Sequence, residues 1–123
     1  MTIYGPRQDE GTLAEAFAAW DAAGGDCAWY AGGTELLQVM KMGFARFGTL
    51  IDLKRIPELG GIAETAGGGL RIGATATLAD LVESEPVTAY AAVATAAGLA
   101  ASPLLRNQGT VGGNLCQHTR CWY

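Results

Sequence analysis

Ser102-Pro103-Leu104-Leu105-Arg106-Asn107-Gln108-Gly109-Thr110-Val111-Gly112-Gly113-Asn114-Leu115-Cys116-Gln117-His118-Thr119-Arg120-Cys121 is the stretch on which the reading of this chain turns. Its centre, a hydroxyl residue followed by Val-Gly-Gly-Asn, is a backbone suited to close approach. The adjacent Gly112 and Gly113 can reach backbone angles closed to other residues. They also leave no side chain between the amide N–H groups and a ligand, and exposed donors of this kind suit an anion, most often a phosphate. A second segment of the same kind lies far upstream, Ala31-Gly32-Gly33-Thr34-Glu35-Leu36. One Gly-Gly-Thr is a weak signal. Two glycine-plus-hydroxyl segments in a chain of 123 residues imply a ligand with two phosphates, held from both sides.

The simplest reading of any Gly-Gly pair is a turn, and that reading holds for Gly24-Gly25 and for Gly67-Gly68-Gly69. The flanks of Gly32-Gly33 point further. Cys27-Ala28-Trp29-Tyr30 is a short apolar run that reads as a strand feeding directly into the glycines. A helical turn then starts near Thr34, with its free N–H groups facing outward. A helix N-terminus carries roughly half a positive charge and favours an anion, and Thr34 adds a hydroxyl donor. Thr49 to Leu53 reads as a second strand, so a β–turn–α–β unit with short parallel pairing is predicted.

Working outward, Thr12-Leu13-Ala14-Glu15 is a capping box. Leu13, Ala16, Phe17 and Trp20 then share one helical face, and Gly24-Gly25 stops that helix. Beyond Pro57 the pattern changes. Gly60 to Thr65, Ala66 to Gly69 and Leu70 to Gly73 read as a hairpin. Thr77 and Asp80 occupy the N-cap and third positions of a helix that runs to about Glu83 and is ended by Pro86. A further helix, from about Ala89 to Ala101, leads into the second glycine segment. The fold class is α+β. The break between Leu53 and Gly60 divides the chain into a first subdomain, residues 1–56, and the start of a second, residues 57–123.

Bulk properties narrow the function classes. Half the residues are apolar and 16% are charged, a globular composition. A net charge of −4 and a pI near 4.8 argue against nucleic acid or an anionic membrane surface as partner. Val87 to Leu105 carries no charge, but its Ala, Thr and Gly residues supply little transfer free energy. A closely packed helix is the reading there, not a membrane span. Met1 to Arg7 has no apolar core and is not a signal peptide. Three cysteines are an odd number, so no disulfide framework is expected, and the cytoplasm is the default location. There is no Gly-x-Gly-x-x-Gly after a strand and no Gly-x-x-x-x-Gly-Lys-Ser/Thr, which disfavours a Rossmann fold and a P-loop NTPase. No acid–base or nucleophile constellation is visible.

Several segments in order then carry a family resemblance. They are Ala31-Gly32-Gly33-Thr34-Glu35-Leu36-Leu37, Met40-Lys41-x-Gly43 and Leu50-Ile51-Asp52-Leu53, followed by Leu70-Arg71-Ile72-Gly73-Ala74-x-x-Thr77. Ala101-Ser102-Pro103, Arg106-Asn107 and Gly109 to Leu115 complete the set. The chain resembles the FAD-binding subunit of the molybdenum hydroxylases, a family that includes xanthine dehydrogenase, carbon monoxide dehydrogenase and 4-hydroxybenzoyl-CoA reductase. The resemblance implies an FAD-binding fold of the PCMH type, made of two small α/β subdomains. It implies that Ala31, Gly32, Gly33, Thr34 and Glu35 wrap the FAD pyrophosphate, with Leu36 near the isoalloxazine ring. Thr110, Val111, Gly112, Gly113 and Asn114 would supply the second set of contacts, with Arg106 and Asn107 bracing that loop.

The same resemblance implies an oxidoreductase component. Its partners would be a large subunit carrying the molybdenum cofactor and a small [2Fe–2S] subunit. Electrons would pass between the iron–sulfur clusters and an external carrier through FAD. Thr119-Arg120-Cys121-Trp122-Tyr123 resembles the entry to the extra loop of the 4-hydroxybenzoyl-CoA reductase branch, where a cysteine matching Cys121 begins a four-cysteine [4Fe–4S] site. Cys116 and His118 match no ligand of that cluster. On this view the chain is the first two-fifths of a subunit, inactive alone. A rival from another class is a zinc-binding or scaffold domain using Cys116, His118 and Cys121. A rival within flavoproteins is another PCMH-type enzyme. Cys27, in an apolar strand, reads as a small core residue.

Overall fold

The computed structural model describes residues 2–4, by their backbone, and residues 11–118. Its first helix, α1 (Leu13–Ala22), begins as the capping box requires. The Thr12 hydroxyl accepts from the Glu15 amide at 3.2 Å, and the Glu15 carboxylate accepts from the Thr12 amide at 2.9 Å. Two of the orphan N–H groups of the first turn are thereby satisfied reciprocally. Ala16 is the one fully buried residue of α1. Phe17, expected on the same inward face, is 58% exposed. It sets its ring edge-on to Trp29, centroids 5.9 Å apart, while Trp20 stacks on Trp29 at 4.5 Å.

The strands β1 (Thr2–Tyr4), β2 (Cys27–Tyr30) and β3 (Thr49–Asp52) form a parallel sheet in the order β1-β3-β2. Cys27 pairs with Thr49 and Tyr30 with Asp52 in register. The predicted β–turn–α–β unit is therefore present, with α2 (Leu36–Lys41) as its crossover. β1, which nothing in its sequence announces, adds a third strand through Thr2 to Tyr4 against Thr49 to Ile51. Side chains alternate along a strand. Leu50 and Ile51 are each 1% exposed, so both faces of the central strand are covered. Burying a side chain of this size contributes roughly 1.5–3 kcal/mol. Ile51 joins Ala16, Cys27 and Ile56 in one core cluster, with Leu13 and Trp20 packed against it. Cys27 is thus the buried small residue its strand implied.

After a single 3₁₀ turn at Pro57–Leu59, the predicted hairpin follows as β4 (Ile62–Glu64) and β5 (Leu70–Ile72), an antiparallel pair. α3 (Leu78–Glu83) opens with the second capping box, between Thr77 and Asp80. Pro86 does not merely end that helix. It lies in the first turn of α4 (Glu85–Thr88), where its missing N–H costs nothing. α5 (Ala91–Leu99) is accordingly shorter than the Ala89 to Ala101 reading, because α4 occupies the earlier residues. Ala76, Leu81, Val87 and Ala97 form the second core cluster, with Ile62, Leu70, Ile72 and Val111 against it. α6 (Pro103–Arg106) and α7 (Val111–Leu115) complete the described elements. No helix among the described residues is long and apolar enough to cross a membrane.

Candidate functional site

The fold brings the two glycine segments into contact. Gly32 lies so close to the second segment that an added Cβ would overlap the Gln108 carbonyl oxygen and come 2.7 Å from its carbon. Gly109 lies on the same contact, with its Cβ direction 3.7 Å from Thr34 Oγ1. The joint excludes a side chain at Gly32 on steric grounds alone. Gly33 is constrained differently. Its φ is +71°, a conformation that L side chains rarely adopt, and a Cβ there would meet Tyr30 Cε2 at 2.7 Å and Leu37 Cδ1 at 2.9 Å.

The amides of Gly32, Gly33 and Thr34 have no hydrogen-bond acceptor among the described residues. The next bonds of the segment belong to α2, with Leu37 N–H donating to Gly33 O at 3.1 Å and Val39 N–H to Glu35 O at 3.0 Å. Thr34 is exposed and Ala31 and Leu36 are half-buried. A run of three amides with no acceptor among the described residues, ahead of a helical turn and with no side chain at two of the three positions, has the donor set of an anion cradle. Tyr30 closes its base: the same ring that borders Gly33 carries the Lys54 ammonium over its face, 4.4 Å from the centroid.

The second segment is built otherwise than its glycines imply. Val111 N–H donates to Ala76 O and Gly112 N–H to Ala74 O, both at 2.8 Å. Thr110 is 3% exposed, and its hydroxyl accepts from Gly113 N–H at 3.2 Å. Asn114 N–H donates to Thr110 O at 2.8 Å. All four amides from Val111 to Asn114 are therefore engaged within the protein, the first two by the Ala76 and Ala74 carbonyls and the last two by Thr110, the N-cap of the short helix α7. A Cβ at Gly112 would come 2.9 Å from that of Ala74. The outward surface of this segment belongs to Gly113, Asn114 and Leu115, all exposed.

Arg106 braces the approach to this segment. Its guanidinium donates to Ala100 O at 3.1 Å and Ala101 O at 2.9 Å, across the turn where Ala101 takes a φ of +51°. Asn107 follows as the C-cap of α6. Glu35 adds a link between the two segments that the sequence did not signal: its Oε2 accepts from the His118 amide at 3.2 Å. Gln108 and the Ala74 and Ala76 carbonyls were likewise missed. Backbone acceptors leave no mark in composition, although Thr110 ahead of a short run is an N-cap signal.

Of the cysteine tail, Cys116 to His118 are among the described residues. Cys116 is free and exposed. Cys121 lies outside the described residues. Among the described residues, no group of three or more His, Cys, Asp and Glu side chains is arranged to hold a metal ion.

The glycine surface and the amide donors of the first segment suit an anion such as a phosphate. Residues 9–121 match the family described as the FAD binding domain in molybdopterin dehydrogenase. The chain is 44% identical over 105 residues to the medium chain of carbon monoxide dehydrogenase from Hydrogenophaga pseudoflava, covering 85% of this chain and 36% of that one. It is 48% identical over 94 residues to the FAD-binding subunit of an Escherichia coli aldehyde oxidoreductase, covering 76% of this chain and 29% of the relative. In three dimensions it matches the solved carbon monoxide dehydrogenase of Hydrogenophaga pseudoflava with a TM-score of 0.84 and 40% identity, over 94% of this chain and 39% of that chain. Quinoline 2-oxidoreductase from Pseudomonas putida 86 matches with a TM-score of 0.84 and 26% identity, again over 94% and 39%. The chain thus spans about a third of the curated relatives' length, and along that third two glycine segments meet in an α+β fold that these oxidoreductases share: it belongs to the FAD-binding domain family of the molybdopterin dehydrogenases.

Proposed function

We propose that this chain holds FAD as the electron-transfer module of a multi-subunit, molybdenum-dependent oxidoreductase. The observation that carries the reading is the row of amides at Gly32, Gly33 and Thr34, without an acceptor among the described residues and located where the two glycine segments touch. In this reading those amides bind the pyrophosphate, with Ala31 and Leu36 flanking it. Thr110, Val111, Gly112, Gly113 and Asn114 form the opposing wall, and Glu35 belongs to the same site. FAD, when bound, supplies exchange of electrons between iron–sulfur clusters and an external carrier. The chain's own residues bind and orient the cofactor.

The partners in this reading are a large subunit with the molybdenum cofactor and a small [2Fe–2S] subunit. Support comes from relatives named as medium chains and FAD-binding subunits. The two sheets and two core clusters support a first subdomain over residues 1–56 and a second beginning at residue 57. Cys121 is proposed as one ligand of a [4Fe–4S] cluster in the full-length protein, and the cytoplasm as the location.

Purification of the full-length protein with its partner subunits tests the reading. Stoichiometric FAD, molybdenum, and iron with acid-labile sulfide are expected. Failure to bind added FAD would overturn it, and zinc in place of iron would favour a metal-binding scaffold instead.

A further inference from the structure

An acidic residue in the middle of an anion-binding loop is an anomaly. Glu35 follows the amides of Gly32, Gly33 and Thr34 directly, and a carboxylate there repels the diphosphate those amides would hold. The residue occupies the N-cap position of α2, yet makes no side-chain cap there. Its Oε2 instead accepts from the amide of His118, a residue 83 positions away, just beyond α7. The second contact between these regions is the close approach of Gly32 to Gln108, on the N-terminal side of α7. The first glycine segment is therefore attached to both ends of the α7 region, by van der Waals contact at one end and by a charged hydrogen bond at the other.

We infer that Glu35 is a positioning residue, a latch that fixes α7 and its following residue against the first glycine segment, so that the cofactor cleft exists before the cofactor arrives. This rests on the FAD-binding reading above. A segment already ordered loses less conformational entropy when it binds. The latch also directs the Glu35 charge to a backbone donor and away from the diphosphate. α7 is only five residues long and half of its first turn is glycine, so its own helical tendency is low. An external tie at its C-terminal end has something to hold.

The chemistry of the bond defines the test. Glutamine keeps an acceptor oxygen of the same reach and loses the charge, whereas alanine loses the acceptor. In the full-length protein stripped of flavin, FAD affinity is measured by quenching of flavin fluorescence. Amide exchange across residues 110–118 is followed in the same samples. Glu35→Ala is expected to weaken FAD binding about ten-fold, the order of one hydrogen bond to a charged group, and to speed exchange at the His118 amide. Glu35→Gln is expected to bind FAD as tightly as wild type or more tightly, with exchange unchanged. Wild-type affinity in Glu35→Ala would overturn the latch, as would equal weakening in both variants. Absence of FAD binding by the wild-type protein would instead overturn the underlying functional reading.

Discussion

Gly32 and Gly33 are adjacent and identical, yet they are glycine for different reasons. At Gly32 a side chain would run into the Gln108 backbone. At Gly33 the obstacle is a φ of +71° together with the Tyr30 and Leu37 side chains. Tyr30 and Leu37 can rotate to relieve part of the crowding, whereas the backbone of Gln108 can move only by separating the two segments. Overpacking of this kind typically costs 1–3 kcal/mol, and rigid backbone places Gly32→Ala at about 3 kcal/mol. Denaturant unfolding of the full-length variant is expected to show that loss, accompanied by loss of FAD retention. Thr110 presents the opposite case, since its hydroxyl is a cap more than a donor to solvent. Thr110→Ala is expected to cost about 1 kcal/mol of stability, as for other N-caps, and Thr110→Ser to restore most of it in the same unfolding assay.

Among the elements, the two capping boxes were legible because they are written within four consecutive residues, Thr12 to Glu15 and Thr77 to Asp80. The parallel β2–β3 unit and the β4–β5 hairpin were legible for a similar reason, from short apolar runs bounded by glycine. What was not legible depends on distant partners. β1 is three residues long and owes its existence to β3. α7 contains two glycines in five residues, a poor helix by propensity; it forms because Ala74 and Ala76 take its first amides and Thr110 caps it. For the second glycine segment this means that its glycines were legible and its Thr110 cap was not. Phe17, expected on the inward face, is instead exposed with its ring edge-on to Trp29, a contact between elements that the helical period alone does not show. α5 offers a prediction at this scale. A Cβ at Gly98 would meet no atom within 4 Å, and its backbone is helical. Gly98→Ala is expected to raise stability by about 0.5–1 kcal/mol, read from the thermal unfolding midpoint.

At the scale of the whole molecule, the three most exposed large apolar side chains among the described residues lie close together in sequence. Leu99 is 81% exposed, and Leu104 and Leu115 are each 79% exposed, all in or beside the elements that lead to and form the second glycine segment. Exposed leucines in number favour self-association. The 123-residue polypeptide, expressed alone, is expected to form concentration-dependent oligomers by light scattering, and the pair Leu99→Gln and Leu115→Gln to reduce them.

The central claim of the proposal is an unequal division between the segments: Gly32, Gly33 and Thr34, whose amides have no acceptor among the described residues, would donate to the cofactor, and α7 would form a finished wall. Site-resolved hydrogen exchange on the full-length protein, with and without FAD, measures that division directly. The account predicts that FAD slows exchange strongly at Gly32, Gly33 and Thr34, while the amides of Val111 to Asn114 are protected already in its absence. Unchanged exchange at Gly32 to Thr34, or protection of Val111 to Asn114 only on adding FAD, would contradict it.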